Sequence, residues 1–143
     1  MKAANPEVSA WLRLLKVHNL VMREGRSRLA NHCTMPQFDV LAQLTRSNGG
    51  TTLAELSRHL LVTAGNITGI IDRMENAGLV QRVPDPEDRR TTRVKLTPKG
   101  RALAETVIPK HAEDIRKLFG SLSASEIAQL RKLLDKLLQG LEG

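Results

Sequence analysis

Asp85-Pro86-Glu87-Asp88-Arg89-Arg90-Thr91-Thr92-Arg93-Val94-Lys95-Leu96-Thr97-Pro98-Lys99-Gly100 is the stretch that decides how this chain folds. Pro86 presets a turn, and Asp85, Glu87 and Asp88 suit turn positions. Thr92, Val94 and Leu96 place β-branched or apolar groups on one side of a strand, with Arg93 and Lys95 on the other. Thr97 then offers an N-cap and Pro98 the first helical position. The stretch reads as a hairpin with a charged tip that leads directly into a helix. Such a hairpin is too small to stand alone and needs packed elements beside it.

The residues upstream supply them as a pair of helices. Thr52-Leu53-Ala54-Glu55 has the form of a capping box, and Leu53, Leu56, Leu60 and Leu61 follow at helical spacing. Leu61-Val62 breaks that helix, and Thr63 can cap a second one. There Ile67, Ile70, Ile71 and Met74 form a stripe that must face a core. The opposite face carries Ala64, Gly65, Asn66, Thr68, Gly69, Asp72 and Arg73. Gly78, after Asn76-Ala77, is placed to take the left-handed conformation at the helix end. Alternation from Leu79 to Val83 then predicts the first strand of the hairpin.

That polar helix face is small as well as polar. Inside a helix, Gly65 and Gly69 would each cost about 1 kcal/mol relative to alanine, which close approach of a large partner would explain. Asn66 and Thr68 can hydrogen-bond base edges, and Arg73 can reach a phosphate or a guanine. An exposed helix that merely contains weak helix formers is the alternative, and the charged hairpin that follows argues against it.

Charge points to the same partner. The 143 residues carry 22 Lys and Arg against 15 Asp and Glu, a net charge of +7. Residues 1–101 hold 16 basic and 9 acidic side chains, whereas residues 102–143 hold 6 of each. The whole excess therefore lies in the part of the chain that contains the helix pair and hairpin, which favours a polyanion. With one Trp, two Phe and no Tyr, the chain lacks the aromatic platform that single-stranded nucleic acids stack on, so double-stranded DNA is expected. No long apolar run suggests a membrane span or leader, so a cytoplasmic protein is expected. A single cysteine, Cys33, rules out an internal disulfide framework. No phosphate-binding glycine loop, catalytic constellation or metal-ligand spacing is present, so neither an enzyme nor a cofactor or metal site is expected. A winged helix that binds only proteins would show an acidic or apolar helix face and an uncharged wing, and this chain shows neither.

Both ends read as amphipathic helices. From about Pro6 to Ala30, Val8, Leu15, Met22 and Leu29 recur every seven residues, and Trp11, Leu12, Leu14, Val17, Leu20 and Val21 broaden the apolar face. Thr34 starts a helix to about Arg46, with Phe38, Leu41, Ala42 and Leu44 inward. A helix from Pro98 to Phe119 is expected to kink or split at Pro109. Ser123-Ala124-Ser125-Glu126 is a capping box before a leucine-rich stripe from Ile127 to Leu141. The end helices offer more apolar surface than one small domain buries, which favours intertwining with a second copy over a bundle within one chain. A lone winged helix reads only a few base pairs, and DNA readers pair half-sites by symmetry. The fold expected is mainly α (α+β): a winged helix-turn-helix at 34–101, with a helical dimerisation region formed by the N- and C-terminal helices, 1–33 and 102–143.

In its motifs and their order the chain resembles the MarR family of transcription regulators over nearly its whole length. The family's wing pattern, Asp-x-Arg, five residues, then Leu-Thr, is met by Asp88, Arg90, Leu96 and Thr97. Ala54-Glu55-Leu56 and the run Asp72-Arg73-Met74-Glu75-Asn76-Ala77-Gly78-Leu79-Val80 also fit. The resemblance implies a homodimer astride a pseudo-palindromic operator, with residues 63–73 as the recognition helix in the major groove. It makes Thr63, Ala64, Gly65, Asn66, Thr68, Gly69 and Arg73 the groove-facing residues, and Arg90 the wing residue that enters the minor groove. Arginine suits the negative potential of a narrow minor groove on physical grounds as well. Arg89 is a phosphate or second groove contact, and Asp88 steadies the wing or only its turn.

The resemblance further implies a repressor released by a small phenolic or carboxylate effector between the dimerisation helices and the DNA-binding lobe. The candidate contacts are His18, Met22, Arg23, Arg26, Asn31, His32 and Gln37, since an arginine can clamp a carboxylate bidentately. His18, Arg23 and Arg26 have competing structural readings. His18 shares the heptad face of Leu15 and Met22, and Glu24 can pair with Arg28 on a solvated face. A transcriptional activator, or a redox sensor acting through Cys33, are the alternatives, although no tyrosine is available to partner that thiol.

Overall fold

Side-chain caps set the helix boundaries of the computed structural model, which describes residues 5–61 and 65–143. Among the described residues, six helices and three short strands follow in the order α1 (Pro6–Leu29), α2 (Met35–Leu44), β1 (Thr51–Thr52), α3 (Leu53–His59), α4 (Ile67–Asn76), β2 (Val80–Pro84), β3 (Thr92–Leu96), α5 (Pro98–Leu118) and α6 (Ala124–Glu142). Asn5, Thr34, Thr52, Asn66, Thr97 and Ser123 each accept a hydrogen bond from a backbone N–H of the first turn they precede. Thr34 with Gln37 and Ser123 with Glu126 form complete reciprocal boxes.

The predicted hairpin is present, in antiparallel register from Val80 opposite Leu96 to Pro84 opposite Thr92. Its strands carry Val80, Val94 and Leu96 into the core. A third strand, not expected from the sequence, lies on the far side of β3, with Thr51 opposite Val94 and Thr52 opposite Arg93. Two residues are too few to show a period of two, so β1 has no sequence signature of its own.

One core joins α2, α3, α4, the sheet and parts of α1 and α5. Leu29, Val40, Leu41, Leu56, Ile71, Met74, Val94 and Val107 lie at its centre. Leu61, which follows Leu53, Leu56 and Leu60 at helical spacing and stands where the sequence breaks the helix, is 86% exposed, because α3 has already ended at His59. Gly100 is required at the join of α5 to the sheet, since a Cβ there would collide with the Leu79 carbonyl. Helix α5 runs unbroken through Pro109 and does not split there. Pro109 is exposed, and so is Glu105, whose carbonyl it cannot bond. No described helix is long and apolar enough to cross a membrane.

Candidate nucleic-acid interface

Helix α4 and the wing formed by β2 and β3 present the polar and basic residues singled out in the sequence. The helix starts later than its sequence suggests. Thr63 and Ala64 lie outside the described residues, and the first helical residue is Ile67. Gly65 takes a left-handed φ of 97°, with nothing near the position of a Cβ. Asn66 is the N-cap, its Oδ1 accepting from the Gly69 N–H at 2.9 Å. Gly65 and Asn66 therefore precede the helix instead of lining its face. Gly69 gains an intramolecular reason to be glycine, because a Cβ there would strike the capping Asn66 side chain. Within the helix, Thr68, Asp72 and Arg73 are exposed, opposite the buried Ile71 and Met74.

The wing tip is organised by its acids. Asp88 Oδ1 accepts from the Arg90 N–H at 3.1 Å, its Oδ2 from the Thr91 hydroxyl at 3.1 Å, and its carbonyl from the Thr91 N–H at 2.9 Å. The same carboxylate lies 3.7 Å from the Arg90 Nε, yet the Arg90 side chain is 95% exposed. Asp88 thus fixes the backbone from which Arg90 projects, and neighbouring Arg89 is exposed as well. At the base of the tip, Asp85 accepts from the Glu87 N–H at 3.0 Å and lies 3.4 Å from the Arg93 Nε. Arg93 donates onward to the Gly50 carbonyl at 3.0 Å, tying the wing to the loop before β1.

Wing and helix are also bound to each other, through a residue that sequence reading passed over. Arg82 on β2 reaches Glu75 Oε1 at 2.6 Å and Asp72 Oδ1 at 2.7 Å, both on α4. The hydrogen bond to Asp72 is the main influence holding the guanidinium pKa above its ordinary value; burial opposes it and Glu75 reinforces it. At the other end of the wing, Thr97 and Lys99 donate to the Gly78 and Ala77 carbonyls that close α4.

Residues 33–92 match the sequence model of the MarR family. Over 118 residues the chain is 36% identical to the HTH-type transcriptional regulator YsmB of Bacillus subtilis, covering 82% of this chain and 81% of that protein. The chain belongs to the MarR family.

Solved structures of MarR-family proteins agree with the fold. A cysteine-to-serine mutant of MarR from Escherichia coli, complexed with operator DNA, matches with a TM-score of 0.81 at 32% identity, over 96% of this chain and 99% of that one. BpsR of Bordetella bronchiseptica, whose DNA binding is regulated by 6-hydroxynicotinic acid, matches with a TM-score of 0.80 at 27% identity, over 96% of each chain. The six helices and small antiparallel sheet are the winged-helix architecture of MarR structures.

In this MarR-family chain, only some of the residues proposed for an effector come together. An open cleft of about 380 Å³ at the end of α1 and the start of α2 is lined by Arg26, His32 and Gln37, with Ala30, Cys33, Thr34, Met35 and Pro36. His18, Met22, Arg23 and Asn31 do not line it. His18 is exposed, its Nδ1 3.4 Å from Asn19 Oδ1. Cys33 is buried, and burial pushes its thiol pKa up, away from the reactive thiolate. Gln37 is committed to capping, its Oε1 accepting from the Thr34 N–H at 3.1 Å.

Where α1, α2 and α5 meet, His111 packs on Phe38 with ring centroids 4.4 Å apart, and its Nδ1 is buried without a hydrogen-bond partner. Burial lowers its pKa, with Asp114 opposing and Lys110 adding to the effect. Asp114 is itself buried, bonded to Lys110 Nζ at 3.0 Å and 3.5 Å from Arg28 Nη1; the Lys110 bond foremost holds its carboxyl below the usual range. The sequence held one clue to this junction, the Glu24–Arg28 spacing, and that pair lies at 3.7 Å. Among the described residues, no cluster of His, Cys, Asp or Glu could hold a metal.

Proposed function

We propose that the chain is a sequence-specific, double-stranded-DNA-binding transcriptional repressor that works as a homodimer on a pseudo-palindromic operator. The observation that carries this reading is the wing tip, where Asp88 braces the backbone and Arg90 projects freely into solvent beside the exposed face of α4. A guanidinium held out in this way suits a narrow minor groove, while a helix lies in the adjacent major groove. Thr68, Gly69 and Arg73 on α4, with Thr63, Ala64, Gly65 and Asn66 before it, meet the major groove. Arg90 enters the minor groove and Arg89 contacts the backbone. The likeness to the operator complex of E. coli MarR supports this arrangement.

Dimerisation is argued from unpartnered apolar surface. Helix α6 buries no residue, yet Ile127, Leu133, Leu137, Leu138 and Leu141 stand exposed along it. Val8, Trp11, Leu12, Leu15 and Val17 do the same on α1. A patch of this size on two helices marks an interaction surface, and a second copy brings the matching stripe. Residues 1–33 and 102–143 form that dimerisation region and 34–101 the DNA-binding lobe. An anionic aromatic effector in the cleft beside Arg26 and His32 releases the operator. The cleft falls within the usual size of ligand sites, and a small aromatic acid governs DNA binding by BpsR.

The test is a titration of the protein against a labelled duplex from upstream of its own gene, with random duplex as control, over a range of salt. Preference by ~10³-fold or more, with binding that falls steeply as salt rises, is expected. Equal weak binding to every duplex, including those selected from a randomised pool, would reject the regulator reading. Aromatic carboxylates, 6-hydroxynicotinic acid among them, are then screened for release, and Arg26→Ala is expected to blunt any response.

A further inference from the structure

Asp72 and Glu75 are out of place on a helix that approaches a polyanion. Both are on α4, with side chains 56% and 40% exposed, and each negative charge there costs affinity for phosphate. Their geometry supplies the reason. Three residues apart on one helix, they share an edge and close on the two terminal nitrogens of Arg82. Glu75 also accepts the backbone N–H of Arg82 through its second oxygen, at 3.3 Å. The three side chains sum to one net negative charge, so Arg82 is not a free cation waiting for phosphate.

We propose that Arg82 is a positioning residue: its fork, held by Asp72 and Glu75, locks the wing to α4, so that Arg90 and the exposed face of α4 meet the duplex at one fixed spacing. This rests on the DNA-binding reading above. Arg82 lies on β2 opposite Val94 of β3, midway along the five-residue strands of the hairpin that carries the tip. A hairpin is mobile where nothing else holds it, and β1 pairs only with Arg93 and Val94 of β3, leaving β2 as the outer strand. The lower end is held by Thr97 and Lys99, and the tip side by Arg93 through Gly50, but these do not fix the strand to the middle of α4. Arg82 does. The planar fork matters, because lysine keeps the charge but cannot bridge two carboxylates with fixed geometry.

Two variants separate positioning from charge. Asp72→Asn with Glu75→Gln removes two negative charges, so a purely electrostatic role predicts tighter binding to every duplex. Positioning predicts a crossover: random duplex bound a few-fold more tightly, and the duplex best selected by the wild-type protein bound about ten-fold less tightly. Arg82→Lys is expected to lose about ten-fold on the selected duplex while random-duplex affinity and its salt slope stay as in wild type. A parallel rise on both duplexes for the double variant, or wild-type discrimination by Arg82→Lys, overturns the proposal. So does a parallel loss in Arg82→Lys with a salt slope reduced by about one, the mark of a phosphate contact. Amide hydrogen exchange on the free protein gives a readout without DNA. Faster exchange in residues 80–96 of both variants, with α5 unchanged, is expected, and wild-type protection there overturns the clamp. If the wild-type protein discriminates between no duplexes, the functional reading fails, and the exchange result still decides the clamp.

Discussion

The lobe built on α2, α3, α4 and the sheet uses its apolar side chains inwardly, whereas α6 and the first half of α1 turn theirs to solvent. In the lobe, Val40, Leu41, Leu56, Ile71, Met74 and Val94 are all but fully buried within a single chain. On the end helices, Trp11 is 56% exposed and Leu141 76%. Together with Leu29 of α1 and Val107 of α5 these side chains make one buried core, each contributing about 1.5–3 kcal/mol by its burial. The end helices have the same kind of residue without that gain. One region is a finished core, and the other carries the apolar surface on which the proposed dimer rests.

The largest test of that contrast is Leu134→Glu with Leu138→Glu on α6. The variant is expected to scatter light with the 15.8 kDa mass of one chain and to lose operator affinity by ~10³-fold. An unchanged mass would mean that the exposed stripe is not an interface. Leu44→Ala, in the lobe, is expected to cost ~2–5 kcal/mol of unfolding free energy through the cavity it leaves. Dimer mass should be retained below the melting transition, and loss of the dimer without melting would show that the two regions are not separable. Arg90→Ala is expected to weaken operator binding by ~1–3 kcal/mol with no change in melting, because the side chain is 95% exposed. Equal affinity in the two proteins would remove the wing from the interface.

Asn66→Ala divides two roles, the helix cap seen in the structure and the base reading proposed for the same residue. Loss of the cap costs ~0.5–2 kcal/mol of stability, and Asn66→Asp restores it. If discrimination between duplexes returns with the cap, Asn66 acts by starting the helix; if it stays lost, the amide also reads a base. The smallest effect is on pH dependence. The folded pKa of His111 lies below its ordinary value of 6.5, so as pH falls through that value the unfolded chain takes up a proton that the folded chain resists. Stability contributed by the neutral ring is therefore present above about pH 6.5 and lost below it. His111→Gln is expected to flatten the melting temperature between about pH 7 and pH 5 relative to wild type. An unchanged slope would place the pH dependence elsewhere.

The local signals in the chain were accurate where neighbours within four residues create them. Thr34, Thr97 and Ser123 cap as their sequence suggests, Gly78 takes a positive φ, and Glu24 meets Arg28. The start of α4 differs from the sequence expectation because two signals compete over a few residues. Thr63 looks like a cap, but Asn66 is an equally good one, and the left-handed Gly65 sets the break before it. Leu61 keeps the helical spacing of Leu53, Leu56 and Leu60, yet the helix stops two residues before it.

By itself the sequence determined the helix caps, the two-strand wing with its charged tip, the basic bias of residues 1–101, and the apolar stripes of both end helices. These follow from chemistry repeated along the chain at a period of two or 3.6 residues. Only the tertiary structure decided that Thr51 and Thr52 make a third strand, that Arg93 reaches Gly50 across 43 residues, and that Arg82 closes on two carboxylates of α4. It also set His111 against Phe38 and drew Arg26, His32 and Gln37 into one cleft while leaving His18 outside. Contacts of this kind depend on how finished elements pack against one another. An arginine on a strand carries no sign in its neighbours of which helix it will face.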